Sequence, residues 1–240
     1  MIEHHIDIET PDGAMNTFIV HPDEGGPHPL VVFYMDAPGK REELHDMARR
    51  LATAGYYVML PNLYYRRVRE FVMTPDSREE MFGHMNATTN AMACADTAAL
   101  MDFADRDPAA KDGPVGCVGY CMSGPFAFAA AAAFPERMAA AASFHGVRLC
   151  SDAADSPHRE AGGIKAELYF GCAETDEWAP PEMIERLDRE LAASGARYRI
   201  EWYAGTQHGF VFPLRAGMYH KAQAERHWER LLGLFERNLK

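Results

Sequence analysis

Two rhythms of apolar residues alternate along this chain. Ile2–Ile8 and Met15–His21 read as strands around the turn Pro11-Asp12-Gly13. Leu30–Met35 is a continuous apolar run of strand length, the pattern of a strand buried on both faces. Glu42–Ala54 sets Leu44, Met47, Ala48 and Leu51 at helical spacing, and Gly55 follows as a stop. Tyr56–Leu60 is a strand ended by Pro61. Asn62–Asp76 is irregular and rich in Tyr and Arg. Arg78–Ala104 reads as one long helix, with Gly83 as the place for a break. Val115–Gly119 is a strand, Met122–Phe134 a helix ended by Pro135, and Ala139–His145 and Ala166–Phe170 are strands. A helix over Pro180–Ala193, a strand over Arg197–Tyr203 and a last helix with Trp228, Leu231, Leu232, Phe235 and Leu239 on one stripe complete the chain. This alternation predicts an α/β fold, a mostly parallel central sheet with helices on both faces, as a single domain over 1–240. Ligands in such sheets bind beyond the C-terminal strand ends, so the residues after each strand are the ones to inspect.

Composition narrows the class. A chain of 240 residues with 48% apolar and 25% charged residues is an ordinary globular one. Its longest apolar stretch, Pro125–Phe134, falls short of the ~20 residues of a membrane span. The start Met1-Ile2-Glu3-His4-His5 has neither the basic region nor the apolar core of a signal peptide. A net charge of −11 argues against nucleic acid and against an anionic membrane as partners. The five cysteines include no C-x-x-C pair, so they read as thiols in a reducing, cytoplasmic compartment, with neither disulfides nor a metal site.

The chemistry gathers after three strands. Val115–Val118 runs into Gly119-Tyr120-Cys121-Met122-Ser123-Gly124 and then a helix, the layout of a nucleophile elbow. A nucleophile at such a bend sits in a strained conformation and needs small neighbours two residues away. Gly119 and Ser123 meet that need around Cys121, whereas Ser123 would be flanked by Cys121 and Pro125. The register therefore selects Cys121, with the following helix N-terminus favouring an anion beside it. A buried structural thiol is the plainer alternative. After Ala166–Phe170, the loop Gly171-Cys172-Ala173-Glu174-Thr175-Asp176-Glu177-Trp178-Ala179-Pro180 offers Asp176 as a histidine-orienting acid, with Glu174 as a competitor and helix capping as the plain role. After Arg197–Tyr203, His208 lies in a loop between Gly205 and Gly209. The chain order Cys121, Asp176, His208 is that of nucleophile, acid and histidine in α/β-hydrolases. His145, at another strand end, reads as structural.

With these residues in view, the chain resembles the dienelactone hydrolase family of α/β-hydrolases. The resemblance rests on Gly119–Gly124, on Gly171 with Asp176-Glu177-Trp178-Ala179-Pro180, on His208-Gly209-Phe210, and on Gly55-Tyr56 with Leu60-Pro61-Asn62-Leu63-Tyr64. It implies a Cys-Asp-His triad, no cofactor, and hydrolysis of a small lactone or ester through a thioester, with the backbone N–H groups of Met122 and Ala37 as the oxyanion hole. Similar family members carry a glutamate after the third strand that can contact the cysteine. Asp36 stands there, one methylene shorter, and is the candidate for modulating the thiol. The arginines that hold the substrate carboxylate in the archetypal enzyme have no counterpart directly after His208. Arg78 is the stand-in, with Phe82 and Trp178 as further substrate-binding candidates. The expected protein is a monomer or homodimer acting on a small molecule. A non-catalytic or redox-sensing protein on the same fold, with a reactive thiol, is the rival reading.

Overall fold

The first two strands, β1 (Ile2–Thr10) and β2 (Gly13–His21), form an antiparallel hairpin. Its turn closes on Gly13 at φ 125°, a conformation that L side chains avoid. The remaining strands are β3 (His28–Tyr34), β4 (Tyr57–Pro61), β5 (Ala110–Tyr120), β6 (Met138–Phe144), β7 (Glu167–Thr175) and β8 (Tyr198–Gln207). In the computed structural model, which describes residues 1–240, they make one sheet in the order β1-β2-β4-β3-β5-β6-β7-β8. Only the hairpin runs antiparallel to its neighbours; every pair from β4 to β8 is parallel.

The apolar run of β3 is explained by burial along its whole length. Helices α1 (Glu42–Thr53) and α6 (Lys221–Leu239) share one face of the sheet, joined by the Arg50–Glu225 ion pair at 2.6 Å. Helices α3 (Asn90–Ala104) and α4 (Gly124–Ala133) cover the other. Neighbouring residues of β5 show the two sides. A Cβ on Gly116 would meet Phe235 and Leu239 of α6, whereas the Cys117 thiol lies 3.5 Å from the Ala127 carbonyl of α4. Helix α5 (Pro181–Ser194) ends at Gly195, whose φ of 75° stops it. The buried apolar residues form one contiguous cluster, so the chain has a single core.

One expectation is corrected. The long helix over Arg78–Ala104 is two helices, α2 (Arg78–Ala87) and α3, and they part at Thr88-Thr89 rather than at Gly83. Thr88 and Thr89 are both extended, and the Thr89 side chain accepts the Met92 N–H at 3.2 Å to begin α3. A capping hydroxyl outweighs the modest cost of one glycine inside a helix. The Ala-rich stretch Ala127–Ala133 lies in α4, as expected, and its small side chains let α4 approach the sheet. Closest of all is Gly124, where a Cβ would stand 2.4 Å from the Ser143 hydroxyl and 2.6 Å from the Gly146 Cα. Gly124→Ala is therefore expected to destabilise the fold by about 1–3 kcal/mol, read as a lowered urea midpoint with an unchanged slope.

Candidate active site

Strand β5 ends at Tyr120, and the chain turns through a single 3₁₀ turn, Cys121–Ser123, into α4. Cys121 takes the bend at φ 56°. A non-glycine residue there costs on the order of 1–3 kcal/mol, which the surroundings must offset. They do so in two ways. A Cβ at position 119 would lie 2.0 Å from the Ser123 carbonyl oxygen, so only glycine fits. The buried Ser123 hydroxyl accepts the Tyr120 N–H at 2.9 Å and faces the carbonyls of Tyr120 and Tyr34 at 3.0 and 3.2 Å. Ser123 is thus spent on holding the elbow, and Cys121 is left half-buried at its tip. The Cys121 carbonyl is in turn tied by the Val147 N–H at 3.0 Å.

Asp176 and His208 meet at the ends of β7 and β8. The Asp176 Oδ2 lies 2.8 Å from His208 Nδ1, while its Oδ1 accepts the N–H groups of Trp178 and Ala179 at 2.9 and 3.2 Å. The capping role and the histidine-orienting position thus belong to one carboxylate. Glu174 turns away and accepts the Gly205 N–H at 2.6 Å. Burial pushes the His208 pKa down, but hydrogen bonds and charge from Asp176 and Cys121 outweigh it and raise the value to about 9. Burial pushes the other thiols up: Cys94 to about 11, Cys172 to about 12, and Cys117 and Cys150 also above their ordinary value.

His145 lies directly beneath, at φ 38°, with its ring 4.8 Å from that of His208. Neither ring nitrogen has a hydrogen-bond partner, and burial together with the His208 charge depresses its pKa well below the ordinary histidine range. It is a neutral packing element among Tyr120, Phe210 and Phe212.

Asp36 is fully buried in the turn after β3, and its carboxylate is held by Arg41 and Arg215. No hydrogen bond joins it to Cys121. Arg41 also binds Glu43 at 2.7 Å, and Glu43 accepts the Leu214 N–H at 2.8 Å. The network clamps the turn after β3 to the loop that follows His208. Arg41 and Arg215 were not among the expected site residues, because only the fold brings positions 36 and 215 together. Tyr64 is another such residue: its buried hydroxyl lies 2.9 Å from the Ala37 carbonyl and 3.1 Å from Met122 Sδ.

Arg78, Phe82 and Trp178 come together. The Arg78 guanidinium lies over the Phe82 ring at 5.6 Å, and the Phe82 and Trp178 rings are 5.9 Å apart. Behind Met122 opens a cavity of about 500 Å³, walled by Met85, Phe126 and Val147 near the elbow and by Asn86 and Arg148 further out. No three His, Cys, Asp or Glu side chains gather where they could hold a metal ion, and no helix is long and apolar enough to cross a membrane.

The sequence profile of the dienelactone hydrolase family matches residues 15–239. A Synechocystis sp. protein described as "Putative carboxymethylenebutenolidase" is 26% identical over 230 residues, covering 93% of this chain and 92% of its own. A protein of the same description from Methylorubrum extorquens is 26% identical over 239 residues, covering 98% of this chain and 81% of its own. Among solved structures, a "Putative Dienelactone Hydrolase" from Klebsiella pneumoniae superposes with a TM-score of 0.88 at 25% identity, covering 98% of each chain. The acylaminoacyl peptidase of Pyrococcus horikoshii shares the fold, with a TM-score of 0.75 at 17% identity, across 100% of this chain but 42% of its own.

Two measurements check this geometry. The raised His208 pKa stabilises the folded state fully below the unfolded value of 6.5 and ceases to do so as pH rises through about 9. An NMR titration of the His208 imidazole should centre near 9 in the wild type and fall in Asp176→Asn. Asp36→Asn leaves Arg41 and Arg215 without their shared carboxylate, and should cost about 3 kcal/mol in a denaturant titration.

Proposed function

The chain belongs to the dienelactone hydrolase family, whose members are ester and lactone hydrolases, and from that premise we propose that it cleaves a small lactone or carboxylic ester through Cys121, His208 and Asp176. The observation that carries the reading is the Asp176–His208 hydrogen bond of 2.8 Å beside a cysteine held at a strained elbow. With Nδ1 engaged by Asp176, the other ring nitrogen, Nε2, serves Cys121. His208 takes the thiol proton or already shares an ion pair with the thiolate, the state its raised pKa favours, and Asp176 stabilises the imidazolium. The thiolate attacks the carbonyl carbon, an S–C bond forms, and the carbonyl electron pair moves onto oxygen. The backbone N–H groups of Met122 and Ala37 receive that oxyanion; donors in this role are worth about 2.7–4 kcal/mol each. The tetrahedral adduct collapses, the C–O bond to the alcohol breaks, and His208 returns its proton to the leaving oxygen. Water then gives a proton to His208 and adds to the thioester. The second adduct releases the acid and the Cys121 sulfur, which recovers the proton from His208. Asp36 remains a candidate for tuning the thiol from a distance, through the arginines it holds.

Turnover of a series of lactones and 4-nitrophenyl esters tests the reading. Cys121→Ala should lower kcat/KM by about 10³-fold or more, on the scale of losing a nucleophile. Intact-mass spectra of the wild type with a slow ester should show one acyl group, located at Cys121. Limiting iodoacetamide should modify Cys121 before the other four thiols, whose pKa values are raised by burial. Reversible oxidation of Cys121 without turnover of any ester would favour the redox-sensing alternative.

A further inference from the structure

We propose that Tyr64 is a positioning residue for the oxyanion hole, its hydroxyl holding the Ala37 turn beside Met122 so that the Ala37 N–H stays aimed at the point the Met122 N–H also serves. The proposal rests on the hydrolytic reading above.

Tyr64 is fixed at both ends. After β4, Asn62 organises the loop: its side-chain oxygen accepts the Tyr64 N–H at 3.0 Å, and its amide donates to the carbonyls of Val68 and Arg69 at 3.2 and 2.7 Å. The Tyr64 carbonyl accepts the N–H groups of Arg67 and Val68 at 2.8 and 2.9 Å. Its ring stacks on His84 at 5.1 Å and meets the edge of Phe71 at 6.1 Å. Neither backbone nor ring has freedom left, so the place of the hydroxyl is determined by the fold.

That hydroxyl stands between the two residues proposed as oxyanion donors, 2.9 Å from the Ala37 oxygen and 3.1 Å from the Met122 sulfur. It has one proton to give, and the carbonyl is the stronger acceptor. Ala37 lies in the turn Asp36-Ala37-Pro38-Gly39, closed by the Gly39 N–H on the Asp36 carbonyl at 2.9 Å. The Ala37 N–H has no acceptor within the protein, and Pro38 has no N–H with which to anchor the turn. The turn is therefore held through the Asp36 carboxylate on one side and through the Tyr64 hydroxyl on the other. A donor aimed at a transition-state oxygen must be held before the reaction, since displacements of about 1 Å cost about 10²-fold in rate.

Tyr64→Phe keeps the ring and removes only the tie. For an activated ester, kcat should fall about 10- to 100-fold, less than or equal to the loss of a donor itself, with KM within about twofold. An aldehyde analogue of the acyl group adds the Cys121 sulfur to its carbonyl carbon while the thiol proton passes to the carbonyl oxygen. Its affinity should weaken by the same factor as kcat/KM, while the matching primary alcohol binds unchanged. A melting curve and a circular dichroism spectrum monitor the fold. A tyrosine that serves packing alone would lose some stability, with kcat and aldehyde affinity unchanged, and that result overturns the proposal. An equal loss of alcohol and aldehyde affinity overturns it as well. Wild-type protein inactive on every lactone and ester would remove the hydrolytic reading itself, and this proposal with it; active wild type with an unaffected Tyr64→Phe removes only the role of Tyr64.

Discussion

The left-handed bend at Cys121 is the constraint on which the site depends. A residue with a side chain at φ 56° is there only because its neighbours leave no other path. Gly119 has no room for a Cβ, Gly124 presses against Ser143 and Gly146, and the Ser123 hydroxyl closes the turn onto Tyr34 and Tyr120. The same packing brings the Val147 N–H against the Cys121 carbonyl. A change at any of these small residues is therefore felt at the sulfur, although none of them takes part in the reaction.

A second layer of constraint is electrostatic. Asp36, without exposed surface, is paired with two arginines, one from the start of the chain's first helix and one from the loop after His208. A buried carboxylate in such company adds little net stability compared with an apolar core, but removing it leaves its partners stranded. Its consequence here is geometric: the turn bearing Ala37 and the loop bearing His208 cannot drift independently. The uncharged counterpart is the pair His145 and Tyr120, packed under His208 without competing for its hydrogen bonds. His208 has a charged partner at Nδ1 and the Cys121 sulfur beside it, and these raise its proton affinity despite burial.

Much of the fold was legible in the chain, because periodicity reports burial directly. A seven-residue strand buried on both faces has to be apolar throughout, as β3 is, and a helix against one face has to carry a stripe, as α6 does. The helix break was misplaced because a glycine is a conspicuous signal and a threonine pair is not. Only the backbone at Thr88-Thr89 reveals that the hydroxyl caps a new helix. At the site, Cys121, Asp176 and His208 stood out because each follows a strand in a loop with its own local signal: a small-residue hexapeptide, an acid before a helix, a histidine between glycines.

The sequence by itself determined the alternation of elements, the elbow and the order in which nucleophile, acid and histidine appear, since each depends on residues within a few positions of one another. Tertiary structure decided what those groups touch. It gave Glu174 to Gly205 and Asp176 to His208, gave Asp36 to Arg41 and Arg215 with no hydrogen bond to the thiol, and set the Tyr64 hydroxyl between Ala37 and Met122. These contacts join positions as far apart as 36 and 215. No periodicity encodes them, because a side chain's partner across the sheet is set by strand order and register, which the whole core determines together.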